Sequence, residues 1–456
     1  MIGLISSLIV LAFVLVAMGL VARIFGNEKL QLVVNLVLLV ALIAAITAAL
    51  DLGSAHSYEE FLSANPFSLL LMLIFTGSAL LLNLIAFYDR HGYAEFAVLS
   101  NMALAGGYIV AMSMSLLGIF LGLELAAVPA ILLLLANRKS MEGAVKMFVM
   151  SAMAVAIFSF GAVLFYGATG SMMLQQYAQS PIIYVALILL LGALGVEAAL
   201  FPFNLWLPDV YDDAPAHIAA MLGGLNKKIA MAALIEIGFL LIPLKNTSLL
   251  LGAIATITMF YGNVMALRQE RIKRLLAYSS ISQAGYILIG IAVGTQYGIA
   301  ASLFQIVAHA VAFIGLLGIA YFLEFRNIVH IDNMVGLHNE SRFAAFSISI
   351  LLLSLLGIPF TAGFMGKFML FSSAVYGGIA ALALVGVANT VISAYYYAKV
   401  MLAMYADKAS PTKMRISGYI MAPVVICVVL TLALGVFPNA LVALAEAAAK
   451  GLAAAI

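Results

Sequence analysis

Long apolar runs, separated by short polar segments, recur along the whole chain. Each run is close to 20 residues or longer, the length at which an α-helix crosses a hydrocarbon core about 30 Å thick. The pattern therefore predicts an all-α integral membrane protein with about fourteen transmembrane helices. The predicted spans are 2–22, 30–50, 67–87, 94–112, 114–135, 143–166, 182–204, 215–242, 247–268, 274–293, 299–324, 343–373, 378–405 and 416–437.

The basic residues alternate between the predicted loops. Loops that follow odd-numbered spans hold fifteen of the 21 Lys and Arg residues, whereas loops that follow even-numbered spans hold only Lys245. Since Lys and Arg collect in cytoplasmic loops, we expect a multi-pass protein of the cytoplasmic membrane with both termini outside. No basic segment precedes the first span, so we expect it to be retained and not cleaved as a signal peptide.

The composition agrees with this prediction and excludes several classes of protein. Hydrophobic residues make up 66% of the chain and charged residues 9%, against about 45–50% and 25% in soluble domains. The single cysteine, Cys427, excludes a disulfide framework, an all-cysteine iron–sulfur cluster and a zinc finger. No phosphate-binding loop follows a strand pattern. We expect the lipid bilayer as the surroundings and no nucleic-acid partner.

Several charged side chains lie inside the apolar spans. Each costs about 2.5–3.5 kcal/mol in mid-bilayer on insertion scales, so the chain must supply partners or a path for water. Lys399 is near the end of its span and is expected to extend towards the headgroups. Glu124 and Lys367 lie deep in otherwise apolar stretches. Leaving aside charges at the span ends that we count with the loops, the charged residues within the spans are Glu124, Glu197, Lys227, Lys228, Glu236, Lys367 and Lys399.

His309 falls in the middle of the eleventh span, with Gln305 one helical turn before it on the same face. A lone membrane histidine can simply hydrogen-bond a neighbouring helix. Because imidazole titrates near neutral pH, it is also a natural side chain for passing protons. No second histidine lies at comparable depth, which argues against a b-type haem.

Two spans carry residues that interrupt helices. The seventh contains Pro202 near its end, and the twelfth contains Pro359, Gly363 and Gly366 just before Lys367. Paired interrupted helices in the two halves of a chain are typical of inverted-repeat transporters. We therefore expect four units: a three-helix segment (1–93), two inverted five-helix repeats (94–242 and 247–405), and a last transmembrane helix with a tail (406–456). From the residues alone, the expected function is movement of a small cation, above all the proton, along buried charges.

Four stretches of the chain resemble one family. FPFNLWLPDVYDDAPA, RIKRLLAYSSISQAGYILIG, SMEGAVKMFVMSAM with LFYGATGS, and GIPFTAGFMGKF are similar to the antiporter-like membrane subunits of respiratory complex I. The resemblance covers roughly residues 65–405, and the subunit-N branch is the most similar. Related subunits occur in multisubunit sodium/proton antiporters, membrane-bound hydrogenases and deazaflavin-dependent dehydrogenases. The resemblance implies fourteen helices, inverted repeats, and breaks in helices seven and twelve.

The resemblance also implies roles for individual residues. The glutamate of the family's helix five falls on Glu124, and the lysine of helix twelve falls on Lys367. The lysine of helix eight falls on Lys227, or on Lys228 if the register moves by one residue. The histidine that several relatives carry in helix eleven falls on His309, although many subunit-N sequences lack it.

One position departs from the family pattern. The family carries a lysine in helix seven, paired with the glutamate of helix five, and this chain has Glu197 there. Two facing carboxylates oppose each other's ionisation. Three outcomes are open: Lys227 or Lys228 supplies the positive partner, a cation such as sodium lies between the glutamates, or this half of the path no longer pumps.

The leading hypothesis is a proton-translocating subunit of a complex I-like oxidoreductase, beside antiporter-like neighbours. No cofactor is expected in this chain, and iron–sulfur clusters with flavin or another redox cofactor are expected in partner subunits. The alternatives are a subunit of a secondary sodium/proton antiporter and a structural membrane subunit whose ion path has been lost.

Overall fold

The structure is a computed structural model that describes residues 28–51, 56–58, 62–174, 180–241, 246–407 and 414–455. The first predicted span, 2–22, lies outside the described residues. The helices are α1 (Glu28–Asp51), α2 (Pro66–Ala86), α3 (Tyr93–Met112), α4 (Leu116–Ala136), α5 (Met141–Thr169), α6 (Pro181–Glu197), α7 (Trp206–Asp213), α8 (Ala216–Leu241), α9 (Thr247–Leu267), α10 (Ile272–Val293), α11 (Gln296–Glu324), α12 (Arg342–Leu356), α13 (Ala362–Tyr376), α14 (Ala380–Tyr405), α15 (Gly418–Val436) and α16 (Asn439–Ala455).

The prediction of an all-α multi-pass membrane fold is confirmed. Within the described ranges, eleven helices are long and apolar enough to cross a membrane, and α6 and α12 are shorter apolar helices. These two are short because the chain leaves the helical path after Glu197 and after Leu356. The breaks therefore lie in the two spans whose proline and glycine content predicted them.

Two serines separate the fourth and fifth predicted spans. Helix α3 ends at Met112, and the Ser115 hydroxyl accepts a hydrogen bond from the Gly118 amide (3.1 Å) at the start of α4. Serine is a favoured residue at this position because its oxygen satisfies an amide that has no partner within the helix. Apolar runs this close can still form two helices when a capping residue lies between them.

Two elements were not predicted from the sequence. A short antiparallel pair of strands, β1 (His56–Tyr58) and β2 (Leu62–Ala64), precedes α2. The segment that we interpreted as a tail after the last span forms α16, which packs against α2 and α11. Its alanine-rich stripe is too weakly apolar to predict a span, but small residues at helical spacing suit close packing. The buried residues of α16 are Leu441, Ala445, Ala448, Ala449 and Leu452.

Helices α8, α10 and α11 form the centre of the bundle, and nearly all their residues are buried. Around them pack α2, α3, α7, α13 and α15. Large apolar side chains point outwards from α5, α9 and α14, and also from α15. Lys227, Lys228 and His309, three of the six residues predicted to form the path, lie on the central helices. Their side chains are therefore enclosed by protein and do not face lipid.

Helices α3 and α4 approach each other at a pair of glycines. A Cβ atom added at Gly106 would lie 2.5 Å from the Gly122 carbonyl oxygen and 2.8 Å from the Ala126 amide nitrogen. These are backbone atoms, so they cannot move aside as the end of a side chain can. The contact requires the absence of a side chain at Gly106.

We expect Gly106→Ala to separate α3 from α4 and to destabilise the protein by about 1–3 kcal/mol, the usual cost of overpacking. Heat denaturation of the purified protein in detergent, followed by loss of monodisperse material, measures the effect. Gly77→Ala is the matched control, since nothing lies within 4 Å of a Cβ at this helical glycine. Equal denaturation midpoints for the two variants would contradict the expectation.

Candidate functional site

A π-helical stretch, Leu222–Asn226, lies within α8 directly before two consecutive lysines. A π-helical turn accommodates an extra residue, so it changes the direction in which the following side chains point. Lys227 and Lys228 are both buried, with 3% and 1% of their surfaces exposed. Each contacts a different central helix. The sequence left open which lysine faces the interior, and the structure places both there.

Lys227 contacts α10. Its Nζ donates to the Ser280 carbonyl oxygen (2.8 Å) and to the Ser280 hydroxyl (3.1 Å). Lys227 also lines a cavity with Glu197, Trp206 and Asn226. The volume that the centre of a water molecule can occupy in this cavity is about 20 Å³, which is enough for one water molecule.

Lys228 contacts α11 through His309. The Lys228 Nζ lies 2.5 Å from the His309 Nδ1, and the imidazole stacks on Phe313. At this distance one nitrogen must donate and the other accept, so the pair holds one proton between the two atoms. The Nε2 of His309 is buried and has no partner among the described residues. A buried nitrogen of this kind is usually satisfied by water.

Two glutamines continue the polar contacts from α11 towards α13. Gln305, one turn before His309, donates from Nε2 to the Gln283 Oε1 (2.9 Å). Gln283 in turn donates from Nε2 to the Leu355 carbonyl oxygen (2.9 Å). The Gln305 Oε1 is buried against Gly366 and has no hydrogen-bond partner in the described part of the chain.

Lys367 lies where the broken helix ends. Its Nζ donates to the carbonyl oxygens of Leu355 (3.0 Å) and Leu356 (2.9 Å) and lies 4.3 Å from the centre of the Tyr286 ring. The last carbonyls of a helix lack amide partners within the helix and carry partial negative charge. The break after α12, with Gly357 at a positive φ of 91°, therefore supplies the acceptors for this lysine.

The three central lysines share one property. Among the described residues, none of them forms an ion pair with a carboxylate; their partners are carbonyls, hydroxyls and an imidazole. Both an ammonium and a neutral amine can donate to such acceptors, whereas a carboxylate would favour the ammonium alone. The contacts therefore permit a lysine to gain and lose a proton in place.

Glu124 and Glu197 face a groove between α4, α5 and α6, in which Leu194 and Phe158 also lie. The Glu197 Oε1 accepts a hydrogen bond from the Ser151 hydroxyl (3.1 Å). Both glutamates are only partly buried. In the described residues neither carboxylate forms an ion pair with Lys227 or Lys228. Lys227 approaches Glu197 only across the cavity that the two share.

The remaining charged residues of the spans lie apart from this site. Lys399 is partly buried near the end of α14 and donates to the Gln269 carbonyl oxygen (3.3 Å), which agrees with a lysine that extends towards the headgroups. Glu236 is 2% exposed, and its Oε2 has no partner among the described residues.

Several neutral groups of the site were not predicted from the sequence: the side chains of Asn226, Ser280, Gln283 and Tyr286, and the carbonyls of Leu355 and Leu356. A signal for three of them was present. The tenth span carries the segment YSSISQAGY, whose polar residues are too many for a helix that only faces lipid. The carbonyl acceptors have no signal in side-chain identity, because they depend on where α12 ends.

Ion pairs hold the amphipathic helix α7 at one end of the bundle. Asp209 accepts from Lys146 (2.6 Å) and Arg274 (2.7 Å), and Asp212 pairs with Arg271 (2.9 Å). Burial raises the pKa of the Asp209 carboxyl, but Lys146 and Arg274 outweigh burial and hold the pKa below its ordinary value. Since α7 begins with Trp206, these pairs fix one wall of the cavity between Glu197 and Lys227.

Comparison with known proteins gives consistent matches over most of the chain. The family described as "NADH:quinone oxidoreductase/Mrp antiporter, TM" matches residues 113–393. The F(420)H(2) dehydrogenase subunit N of Methanosarcina mazei is 32% identical over 86% of this chain and 85% of its own length. The NADH-quinone oxidoreductase subunit N of Salinibacter ruber is 32% identical over 80% of this chain and 79% of its own length. A chain of respiratory complex I from Thermus thermophilus superimposes with a TM-score of 0.85 at 29% identity, covering 96% of this chain and 99% of that one.

Acid should weaken the attachment of α7. A carboxyl with a lowered pKa stabilises the fold fully above the ordinary aspartate value of about 3.9, and that stability is lost as the pH falls through the folded-state value. We expect the midpoint temperature of denaturation of the wild-type protein to decrease when the pH is lowered below about 4. For Asp209→Asn, this temperature should decrease less steeply with pH. Glu446→Gln, which changes an exposed carboxyl on α16, is the control. Parallel pH curves for wild type and Asp209→Asn would refute the assignment.

Proposed function

Since the chain belongs to the NADH:quinone oxidoreductase/Mrp antiporter transmembrane family, we propose that its buried charges form the path by which protons cross the membrane. The chain is an antiporter-like membrane subunit of a complex I-like oxidoreductase, and it assembles with other membrane subunits. The residues assigned to the path are Glu124, Glu197, Lys227, Lys228, His309 and Lys367.

One observation supports the proposal: buried polar side chains follow one another from Glu197 to Lys367 through the centre of the bundle. Glu197 and Lys227 line one cavity, Lys228 follows in sequence and contacts His309, and the two glutamines lead to the acceptors of Lys367. The unpartnered Nε2 of His309 leaves a place for water between the direct contacts. Charged groups in such a row respond to one another because they are enclosed in a medium of low dielectric constant.

The residues of this chain act by holding and moving protons. The Lys228–His309 pair holds one proton between two nitrogens, so a change of charge at either neighbour shifts it from one atom to the other. Lys227 and Lys367, held by neutral acceptors, can release a proton when positive charge approaches and regain it afterwards. The direction we assign is entry from the cytoplasm and exit outwards, driven by electron transfer in partner subunits.

The redox chemistry is assigned to those partners. Among the described residues, no three His, Cys, Asp or Glu side chains lie where they could hold a metal ion, and Cys427 is buried. The described residues thus do not offer the set of ligands that an iron–sulfur cluster needs. We assign iron–sulfur clusters and flavin, or another redox cofactor, to other subunits of the complex.

The topology that accompanies this function has fourteen transmembrane helices in the cytoplasmic membrane, with both termini outside. Its units are a three-helix segment (1–93), inverted five-helix repeats (94–242 and 247–405), and a C-terminal part (406–456). The breaks after Glu197 and Leu356 support the repeats, since they occupy corresponding places in the two halves. The basic end of the bundle, with Arg271, Lys273 and Arg274, is then cytoplasmic.

A secondary sodium/proton antiporter is the second candidate function. It is favoured by one feature, the groove that Glu124 and Glu197 line together, since paired carboxylates suit a small cation. The partners distinguish the two candidates. An assembly purified under mild conditions should contain iron–sulfur subunits if the main proposal holds, and only small membrane subunits if the chain serves an antiporter.

Replacing a path residue should separate pumping from assembly. We expect Lys367→Ala, and separately Glu124→Ala, to abolish donor-driven proton pumping by the complex in vesicles, because a neutral side chain interrupts the row of proton carriers. Lys450→Ala, which removes an exposed lysine from α16, is the control and should pump normally. Wild-type pumping by the assembled Lys367→Ala complex would contradict the assignment of the path.

Sodium should distinguish the two candidate functions directly. In vesicles without an electron donor, we expect a sodium pulse to move no protons, because the proposed path is driven by redox chemistry in partner subunits. A proton flux that follows sodium in the wild type, and is lost in Glu197→Gln, would instead establish the antiporter. Fluorescence of a pH-sensitive dye inside the vesicles measures both cases.

A further inference from the structure

A second group of buried polar side chains lies between α9, α10 and α14, outside the path described above. We call it the tyrosine cluster. Its members are 0–3% exposed, although each carries a hydroxyl or an amide. They are Asn263, Ser279, Asn389, Tyr396 and Tyr397.

The cluster is internally connected. The Ser279 and Tyr397 hydroxyls lie 2.5 Å apart. Tyr396 donates from its hydroxyl to the Asn263 Oδ1 (3.0 Å), and Asn263 donates from Nδ2 to the Asn389 Oδ1 (3.1 Å). The two tyrosine rings lie with their centres 4.4 Å apart. Three helices are therefore joined by hydrogen bonds between buried side chains, in a part of the bundle where apolar contacts between helices would be usual.

The inner side of the cluster leads to Lys367. Gln283 follows Ser279 by four residues on α10, so the two side chains lie on the same face of that helix. Gln283 and Lys367 donate to the same oxygen, the carbonyl of Leu355. Ser282, in the same stretch of α10, has a buried hydroxyl without a partner among the described residues, and this leaves a position for a bridging water.

The outer side of the cluster lies near the basic end of the bundle. Ser279 lies seven residues from the start of α10, about 10 Å along a helix. Lys399, two residues after Tyr397, contacts the Gln269 carbonyl just beyond the end of α9. The cluster thus lies between Lys367 and the end of the molecule that carries Arg271, Lys273 and Arg274.

We propose that the tyrosine cluster is a second proton inlet, which leads from the basic end of the bundle to Lys367 without passing Glu197 or Lys228. The inference rests on the proposed function, since it adds a source of protons to the same path. A hydroxyl can accept a proton on its oxygen while its own proton passes to the next acceptor. Ser279 and Tyr397 are the relay residues, and Asn263, itself held by Asn389, orients Tyr396. The hydroxyls are unchanged once the next proton arrives, so no other reactant is needed.

The alternative is that these hydrogen bonds only join helices, as polar side chains commonly do in membrane bundles. The test compares Tyr397→Phe and Ser279→Ala with Tyr108→Phe in the complete complex. Tyr108 is a buried tyrosine of α3 that hydrogen-bonds Thr76, so its variant loses the same kind of bond outside the inlet. Ser279→Thr keeps the hydroxyl and is the rescue variant. Protons pumped per electron in vesicles and the amount of this chain in the complex are both measured, with wild type and Lys367→Ala alongside.

Because the first inlet remains intact, we expect Tyr397→Phe and Ser279→Ala each to lower the ratio of protons to electrons by up to half, while Tyr108→Phe and Ser279→Thr keep the wild-type ratio. If Tyr397→Phe and Ser279→Ala pump like Tyr108→Phe while Lys367→Ala does not pump, the cluster only joins helices; the inlet is then refuted and the main path stands. If Lys367→Ala pumps normally, the proposed function fails, and the inlet with it. Should Tyr397→Phe fail to assemble, the difference between Ser279→Ala and Ser279→Thr decides.

Discussion

The central constraint in this molecule is that a lysine amine buried in a membrane bundle must be surrounded by acceptors that are not charged. Lys367 meets it with the last carbonyls of α12, and Lys227 meets it with the carbonyl and hydroxyl of Ser280. In regular helices, backbone carbonyls are already occupied by amides four residues further on. The break after α12 therefore gives Lys367 carbonyls that lack amide partners, whereas Lys227 uses the hydroxyl and the second lone pair of a carbonyl within the continuous helix α10.

This arrangement explains why the bundle centre is more polar than its surface. Helices α8, α10 and α11 are enclosed on all sides, so their polar residues meet one another and do not meet lipid. The outer helices α5, α9 and α14 carry the large apolar side chains. Function here depends on the outer helices chiefly because they keep lipid away from the centre and preserve the spacing of the inner ones.

The sequence predicted the parts of this structure that depend on residue identity. Apolar length predicted the spans, and Pro202 and Pro359 predicted the breaks, because both signals act locally. The Lys228–His309 contact, the role of the Leu355 carbonyl and the helix at Asn439–Ala455 were not predicted. The first two depend on how distant helices are placed, and the third depends on small residues that gain stability only when a partner helix covers them.

The π-helical stretch Leu222–Asn226 has a consequence for length variation in α8. Two consecutive residues of a regular helix point about 100° apart, yet Lys227 and Lys228 both reach interior partners beyond this stretch. Deleting one residue within Leu222–Asn226 would restore a regular helix and rotate its two ends relative to each other. Either the two lysines or the segment Ala216–Met221 would then lose its present orientation. A substitution in this stretch should therefore disturb α8 less than a deletion or an insertion does.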